Sequence, residues 1–332
     1  MNAAGVDPAL VDMMEAVFAQ HGRNTDLQQL WDRLGELGLV RLTGPESSGG
    51  SGAGWAEAAA LLTAAVRHGA RVPLAEHDLL ACWLLDAAGV SGDDARRTVC
   101  VVDADGVAPA VPWASAAQRI VIVASDGAGY VVADRDVDEV SITPGANMIG
   151  EPRDTVAVHR TEGATPLPAG LVEQLRLRSA LVRGIQVCAA LDCALESAVE
   201  HATSREQFGR PLAKFQAVQH LIADMAAEAA LARSATEAAL LAAVDDDWST
   251  PQLSFLVAVA RSCAGHAASV VVRNAHQVHG AIGTTKEHRL HEFTRAALAW
   301  RSEFGTVSEF DEQLTRAAAA AGPGGLWPTI CP

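Results

Sequence analysis

The sequence predicts a mainly α-helical protein with a small central β domain, and three observations carry that prediction. Ala, Leu and Val dominate a chain of 332 residues that has one Tyr, seven Phe and seven Trp. Ala and Leu have the highest helix propensities. The two ends of the chain repeat their apolar residues at three-to-four spacing, the period of a helix buried on one face. Between them, from about residue 95, lie short β-branched runs flanked by Asp/Gly turns. A chain of this length buries sizeable cores and divides into two or three compact units. The expected boundaries are an N-terminal helical domain over 1–93, a β domain over 94–167, a C-terminal four-helix bundle over 168–322 and a tail over 323–332.

Leu10, Met13, Met14, Val17 and Phe18 mark a first helix, and Leu27, Leu30, Leu34 and Leu37 a second. Pro45–Gly54, rich in Gly and Ser, is a loop. A helix from Trp55 to His68 stops near Val72-Pro73, and another covers about 75–88. Thr98–Val102, Arg119–Val123, Tyr130–Val132 and Val156–Val158 read as strands, with Asp103–Gly106 and Asp126–Gly129 as turns. Four long helices follow, over about 169–203, 211–243, 250–281 and 286–320. Leu212, Phe215, Val218, Ile222, Met225 and Ala229 form one apolar stripe. Short connections between the four favour an antiparallel bundle.

The net charge of −15 speaks against non-specific nucleic-acid binding, which needs clustered Lys and Arg. The six cysteines, Cys82, Cys100, Cys188, Cys193, Cys263 and Cys331, make no CxxC or zinc spacing, so reduced buried thiols are expected. The start of the chain has no basic region followed by an apolar one. No apolar run reaches the roughly 18–20 residues that span a bilayer. A cytoplasmic, soluble protein is the expectation. No GxSxG elbow, P-loop or Rossmann fingerprint occurs, so hydrolase, NTPase and nicotinamide chemistries lack support.

Two segments carry more than fold. Ser204-Arg205-Glu206-Gln207-Phe208-Gly209-Arg210-Pro211-Leu212, followed by Lys214–Gln219, links two helical stretches. A connector that only reverses the chain needs its Gly and Pro, not the Arg, Gln and Phe. Gln277-Val278-His279-Gly280-Ala281-Ile282-Gly283 ends a later helix with glycines, which allow close backbone approach to a ligand. Read from the residues alone, Arg205 is a solvated charge, Phe208 a core plug and Gly280 a helix cap. Together and in this order, however, the two segments resemble the signatures of the acyl-CoA dehydrogenase family, flavoenzymes that desaturate acyl thioesters. The resemblance covers about 170–310 strongly and the first 165 residues weakly. Its domain order, helices then β domain then helix bundle, matches the order that periodicity predicts.

The resemblance implies FAD as cofactor. Arg205, a planar guanidinium suited to phosphate oxygens, would lie near the pyrophosphate, Phe208 would pack on the cofactor, and Gln216 would assist. Gln277, Gly280 and Ala281 would meet the adenosine and pyrophosphate side of FAD bound mainly by a partner subunit; Ala281 stands where the family usually has a second Gly. Thr306 completes the cofactor set. The implied reaction takes an α-proton to a carboxylate and a β-hydride to the flavin. The base must reach the α-carbon, and in many members it is a Glu directly before Gly-Thr. Here Phe304 holds that position and Glu303 precedes it, a rotation of roughly 100° if helical. The family's other base position falls on Ser179, which has no carboxylate. Glu303 is the candidate catalytic residue within the chain.

The implied partners are an acyl-CoA substrate, bulky or steroid-derived by resemblance to short actinobacterial members, an electron-transfer acceptor, and a like or unlike acyl-CoA dehydrogenase chain in an oligomer. No nucleic acid and no membrane are expected. The alternative is a non-catalytic partner subunit that completes the FAD site of a catalytic chain. His276, His279, His288 and His291 are expected at the surface or at helix caps, with no metal.

Overall fold

The structure is a computed structural model that describes residues 5–22, 25–158 and 163–330. Cys331 lies outside the described residues; the other five cysteines are free thiols. The chain forms two compact units, residues 2–179 and 180–332.

In the first unit, local capping sets the early helices. Helix α1 (Pro8–His21) starts at Asp7, whose carboxylate accepts from the Ala9 N–H at 2.9 Å, with Pro8 at the first helical position. Asp26 does the same for α2 (Leu27–Glu36) through the Gln28 and Gln29 N–H groups. The Glu57 carboxylate accepts from the Gly54 N–H at the start of α3 (Trp55–Arg67). A π-helical stretch, Ala75–Cys82, is buried throughout and runs into α4 (Trp83–Ala87). Its polar groups are paired, as burial requires. Asp78 accepts from Arg41 and from the Thr43 N–H and hydroxyl. The His77 Nδ1 accepts the Arg97 N–H at 3.0 Å.

The β region of this unit is two sheets. One has the order β1 (Arg97–Val101), β3 (Arg119–Ser125), β4 (Tyr130–Asp136), β7 (Thr165–Leu167). The other has the order β2 (Val107–Pro112), β6 (Arg153–Ala157), β5 (Ser141–Thr143). Only the β1–β3 pair is parallel among the described strands. Cys100, Val111, Ile120, Ile122 and Val156 share the core. The predicted strands are present. Strand β2 escaped prediction because Pro109 and Pro112 lower its strand propensity; its register shifts between Ala108 and Val111.

The second unit is the helix bundle. Helix α5 (Ala169–Ser204) enters it at residue 180. It is followed by a hairpin of β8 (Glu206–Gln207) and β9 (Arg210–Pro211), then α6 (Gln216–Asp245) and α7 (Leu253–His279). Helix α6 packs on α7 through alanine-rich buried faces. The helix expected over 211–243 begins later, since residues 206–211 pair as a ribbon. The helix expected over 286–320 is split into α8 (Leu290–Trp300) and α9 (Val307–Ile330), and α9 is itself kinked at Gly322, whose φ of 65° is not helical. Phe304 at φ 55° and Gly305 at φ 116° leave the right-handed helical region and force the break.

The span Leu253–Thr284 includes an 18-residue window of mean hydropathy 1.6, apolar enough to cross a membrane by length and composition, and half of it is buried. That is the pattern of a core helix. No uninterrupted run flags it in the sequence because Arg261 and Arg273 lie within the span.

Candidate functional site

The hairpin between α5 and α6 is an outward-facing device. Gln207 pairs with Arg210, so Phe208 and Gly209 form a two-residue loop with φ of 54° and 78°. Positive φ at both central residues is the turn whose twist suits a β-ribbon. Asn is usual at the first of them; Phe208 stands there with its ring 92% exposed. It is no core plug. Its ring lies edge-on to Phe215, and the Arg210 guanidinium sits 4.1 Å from the Phe215 ring centre. Among the described residues, no carboxylate or hydrogen-bond partner engages the exposed Arg205 side chain. Its backbone is fixed, with the N–H donating to His201 O and the carbonyl accepting from Leu212 N–H. Gln216 is the exposed first residue of α6.

The end of α7 presents the second segment. Gln277, Gly280 and Ala281 are exposed; Gly280, at φ 62°, caps α7 by donating its N–H to His276 O. Gly283 brings the following turn close. A Cβ there would lie 2.8 Å from His279 Cβ and 3.1 Å from Leu290. The His201 ring, from the end of α5, stacks on His279 at 4.6 Å between centres. The ends of α5 and α7 are thereby adjacent, and both predicted segments emerge at the same end of the unit. His279, expected at the surface or at a helix cap, ends α7 and is 5% exposed, because the other rings cover it. His288 does cap: its Nδ1 accepts the Leu290 N–H at 3.1 Å. The described residues contain no cluster of three or more His, Cys, Asp or Glu side chains arranged for a metal.

Glu303 and Thr306 lie elsewhere. The Glu303 carboxylate accepts from Arg183 Nε at 2.7 Å. Arg183 is on α5, about 30 Å before Arg205 at a helical rise of 1.5 Å per residue. Its side chain is 1% exposed, and its guanidinium carbon sits 4.9 Å from the Phe304 ring centre. A second buried cation, Arg261 of α7, donates one nitrogen to three carbonyls of the turn, those of Arg301, Glu303 and Gly305, at 2.9–3.1 Å. Burial, and then the Arg183 charge, lower the Arg261 pKa to about 9. The Glu303 charge opposes that shift. Gly305 admits the Phe310 ring, which a Cβ would meet at 2.6 Å. Thr306 starts α9 with a capping box: its N–H and hydroxyl donate to Glu309, whose N–H donates back to the hydroxyl.

Arg183 and Arg261 are the residues that sequence reading missed. The available signal was an arginine alone in an apolar helical run, as in Leu181-Val182-Arg183-Gly184-Ile185 and Ala258-Val259-Ala260-Arg261. Such an arginine is buried and must find acceptors. In the first unit, Ser179 donates its hydroxyl to Leu175 O at 2.7 Å and is buried. Beside it, the buried Arg178 guanidinium lies 3.8 Å from the Trp83 ring centre and 5.3 Å from that of Trp55.

The site residues fit FAD in part. An outward aromatic ring and an unengaged guanidinium at the hairpin, with an exposed backbone turn nearby, suit a phosphate-bearing ligand approaching from outside the chain. The turn holding Glu303 is closed upon itself.

The acyl-CoA dehydrogenase N-terminal domain model matches residues 8–92, and the C-terminal domain model matches residues 177–317. Acyl-CoA dehydrogenase FadE34 of Mycobacterium tuberculosis is 30% identical over 302 residues, 87% of this chain, but the chain spans only 42% of the length of FadE34. Acyl-CoA dehydrogenase IpdE2 of the same organism is 30% identical over 278 residues, covering 81% of this chain and 80% of IpdE2. Among solved structures, the ChsE4–ChsE5 complex from M. tuberculosis has a TM-score of 0.80 at 22% identity, over 96% of this chain and 99% of that one. A variant of the Tcur3481–Tcur3483 steroid ACAD has a TM-score of 0.82 at 23% identity, over 95% and 98%. At such identities the structural likeness speaks to fold. The chain belongs to the acyl-CoA dehydrogenase family.

Proposed function

Starting from that membership, we propose that this chain is a partner subunit completing the FAD site of a catalytic acyl-CoA dehydrogenase chain, and that it does not itself remove the α-proton. One observation carries the reading. The carboxylate that directly precedes Phe304-Gly305-Thr306, that of Glu303, is held by a buried arginine, and Phe304 occupies the family's base position under the same guanidinium. A base must reach the α-carbon with a free lone pair. Glu303 is anchored to Arg183 as a fixed counter-charge.

The hairpin has the opposite character. Arg205 would bind pyrophosphate oxygens of FAD held by the other chain, with Phe208 packing against it and Gln216 beside it. Gln277, Gly280 and Ala281 would line its adenosine side. Thr306 contributes chiefly as the cap of α9, since its N–H and hydroxyl are engaged. When bound, FAD supplies the hydride acceptor of the desaturation, and the electrons then pass to an electron-transfer acceptor. The substrate would be an acyl-CoA thioester, bulky or steroid-derived. That choice is favoured by likeness to the Tcur3481–Tcur3483 steroid ACAD, as pairing is by likeness to the ChsE4–ChsE5 complex. A cytoplasmic setting suits this chemistry.

The test is visible absorbance of the chain purified alone and with a co-expressed catalytic family member. A flavin band only in the pair, with turnover unaffected by Glu303→Gln in this chain, is the expected result. A flavin band and turnover from the chain alone, abolished by Glu303→Gln, would instead make it a self-sufficient dehydrogenase with Glu303 as its base.

A further inference from the structure

Three imidazoles from three different elements meet where the two exposed segments emerge. His201 belongs to the last turn of α5, His279 is the last residue of α7, and His288 lies in the turn before α8. The ring centres are 4.6 Å apart for His201–His279, 4.7 Å for His279–His288 and 6.4 Å for His201–His288. The hydrogen bonds fix the protons. The Ala275 carbonyl can only accept, so His279 Nδ1 carries a hydrogen at 2.7 Å, while Nε2 lies 3.2 Å from the Ser197 hydroxyl, which donates to it when the ring is neutral. His288 Nδ1 accepts the Leu290 N–H, so its proton is on Nε2. His288 is thereby bonded as a neutral imidazole, and burial favours the neutral form of His279.

Glu200 and Glu287 adjoin His201 and His288 in the chain, and the groups that act on the rings with lowered pKa are cations or potential cations. Arg205 acts on His201 from the chain just beyond α5, His276 acts on His279 from one turn earlier in α7, and His291 of α8 acts on His276. His276 donates to, or accepts from, the Thr294 hydroxyl at 3.1 Å. The carbonyl ends of α5 and α7 attract a proton. Burial and the neighbouring positive groups outweigh that attraction: they lower His201 and bring His279 down to about 4.

We propose that the His201–His279–His288 stack is a proton-sensitive joint: neutral, it clamps the ends of α5 and α7 to the start of α8, and charged, it opens and frees the 205–211 hairpin and the 280–284 turn. A proton on His279 sets a charge against two imidazoles within ring contact. Gly283 relays the movement, since the turn rests directly on His279. The sign follows from the lowered pKa. An unfolded or opened state binds protons near the ordinary value of 6.5, and the closed one only near 4 for His279. The clamp is therefore complete above pH 6.5 and is lost as pH falls toward 4. Nothing in this depends on which chain binds FAD.

Hydrogen exchange of the full chain, corrected for intrinsic rates, tests the joint at pH 7.5 and pH 5.0. Peptides covering 201–215 and 277–290 should exchange at least about tenfold faster at pH 5.0, the weight of one pKa step, while the interior of α6 stays unchanged. The double variant His201→Phe with His279→Phe keeps aromatic contact and the His288–Leu290 bond, removes the two rings whose pKa values are lowered, and should abolish the acid response. An unchanged pair of segments in the native chain, or an equal response in the double variant, overturns the proposal. Should the double variant fail to fold, ring-proton NMR of the native chain decides. His279 should remain neutral down to about pH 5, and a midpoint near 6.5 refutes the clamp.

Discussion

The 205–211 hairpin and the 301–306 turn are both short links between helices of one unit, and both carry positive φ at a Phe-Gly pair. They use that geometry in opposite directions. In the hairpin, Phe208 points away from the protein and the Arg205 side chain is unengaged among the described residues. In the turn, the Phe304 ring lies against Arg183, Glu303 is paired, and three carbonyls converge on Arg261. A Phe-Gly pair at positive φ thus turns outward in one place and closes inward in the other. What separates them is where the charges find partners. This contrast supports a chain that offers contacts to a cofactor site without supplying a base.

The contrast is open to attack from both sides. The largest effect is expected at the turn: Arg183→Ala leaves Glu303 without its buried partner and should destabilise the protein by about 3 kcal/mol, the low end for a broken buried pair because Glu303 is 15% exposed. Urea unfolding measures it, and a loss below about 1 kcal/mol would show that the turn is not held by this pair. Gly305→Ala comes next. It combines a φ of 116° with a Cβ 2.6 Å from the Phe310 ring. A loss of about 2 kcal/mol follows from strain of this kind. Wild-type stability there would mean the turn yields easily. The smallest stability effect belongs to the hairpin. Arg205→Ala should change unfolding by no more than about 0.5 kcal/mol, as for an exposed side chain without partners. In the co-expressed pair the same change should weaken flavin retention about tenfold, or about 1.4 kcal/mol. A large stability loss with intact flavin binding would reverse the assignment of the two links.

Much of this was legible in the sequence, for identifiable reasons. Helices with a regular apolar stripe, such as α6, and strands made of β-branched runs, such as β3, announce themselves because burial alone dictates their pattern. The hairpin was legible as a motif but not as a ribbon, since four paired residues are too few to set a period. The break between α8 and α9 was hidden because Trp300-Arg301-Ser302-Glu303-Phe304 contains nothing that forbids helix; the turn is imposed by Arg261 from α7. Thr306-Val307-Ser308-Glu309 is a capping box that marks the start of α9 in retrospect. The pairing of Glu303 with Arg183 links positions 120 residues apart, and no local pattern announces such a contact. The histidine stack is equally non-local, as its three rings come from three elements.

Phe208 has a practical consequence for anyone handling this protein. Its backbone adopts a conformation that an asparagine would take with less strain, and its ring gains nothing from solvent. Phe208→Asn should therefore yield a chain that folds at least as well and is less prone to stick to surfaces or to itself. That chain would lack the aromatic tip proposed to pack against FAD. It would serve as a matched reagent: the same scaffold with its recognition element removed, against which every measurement of pairing can be referenced.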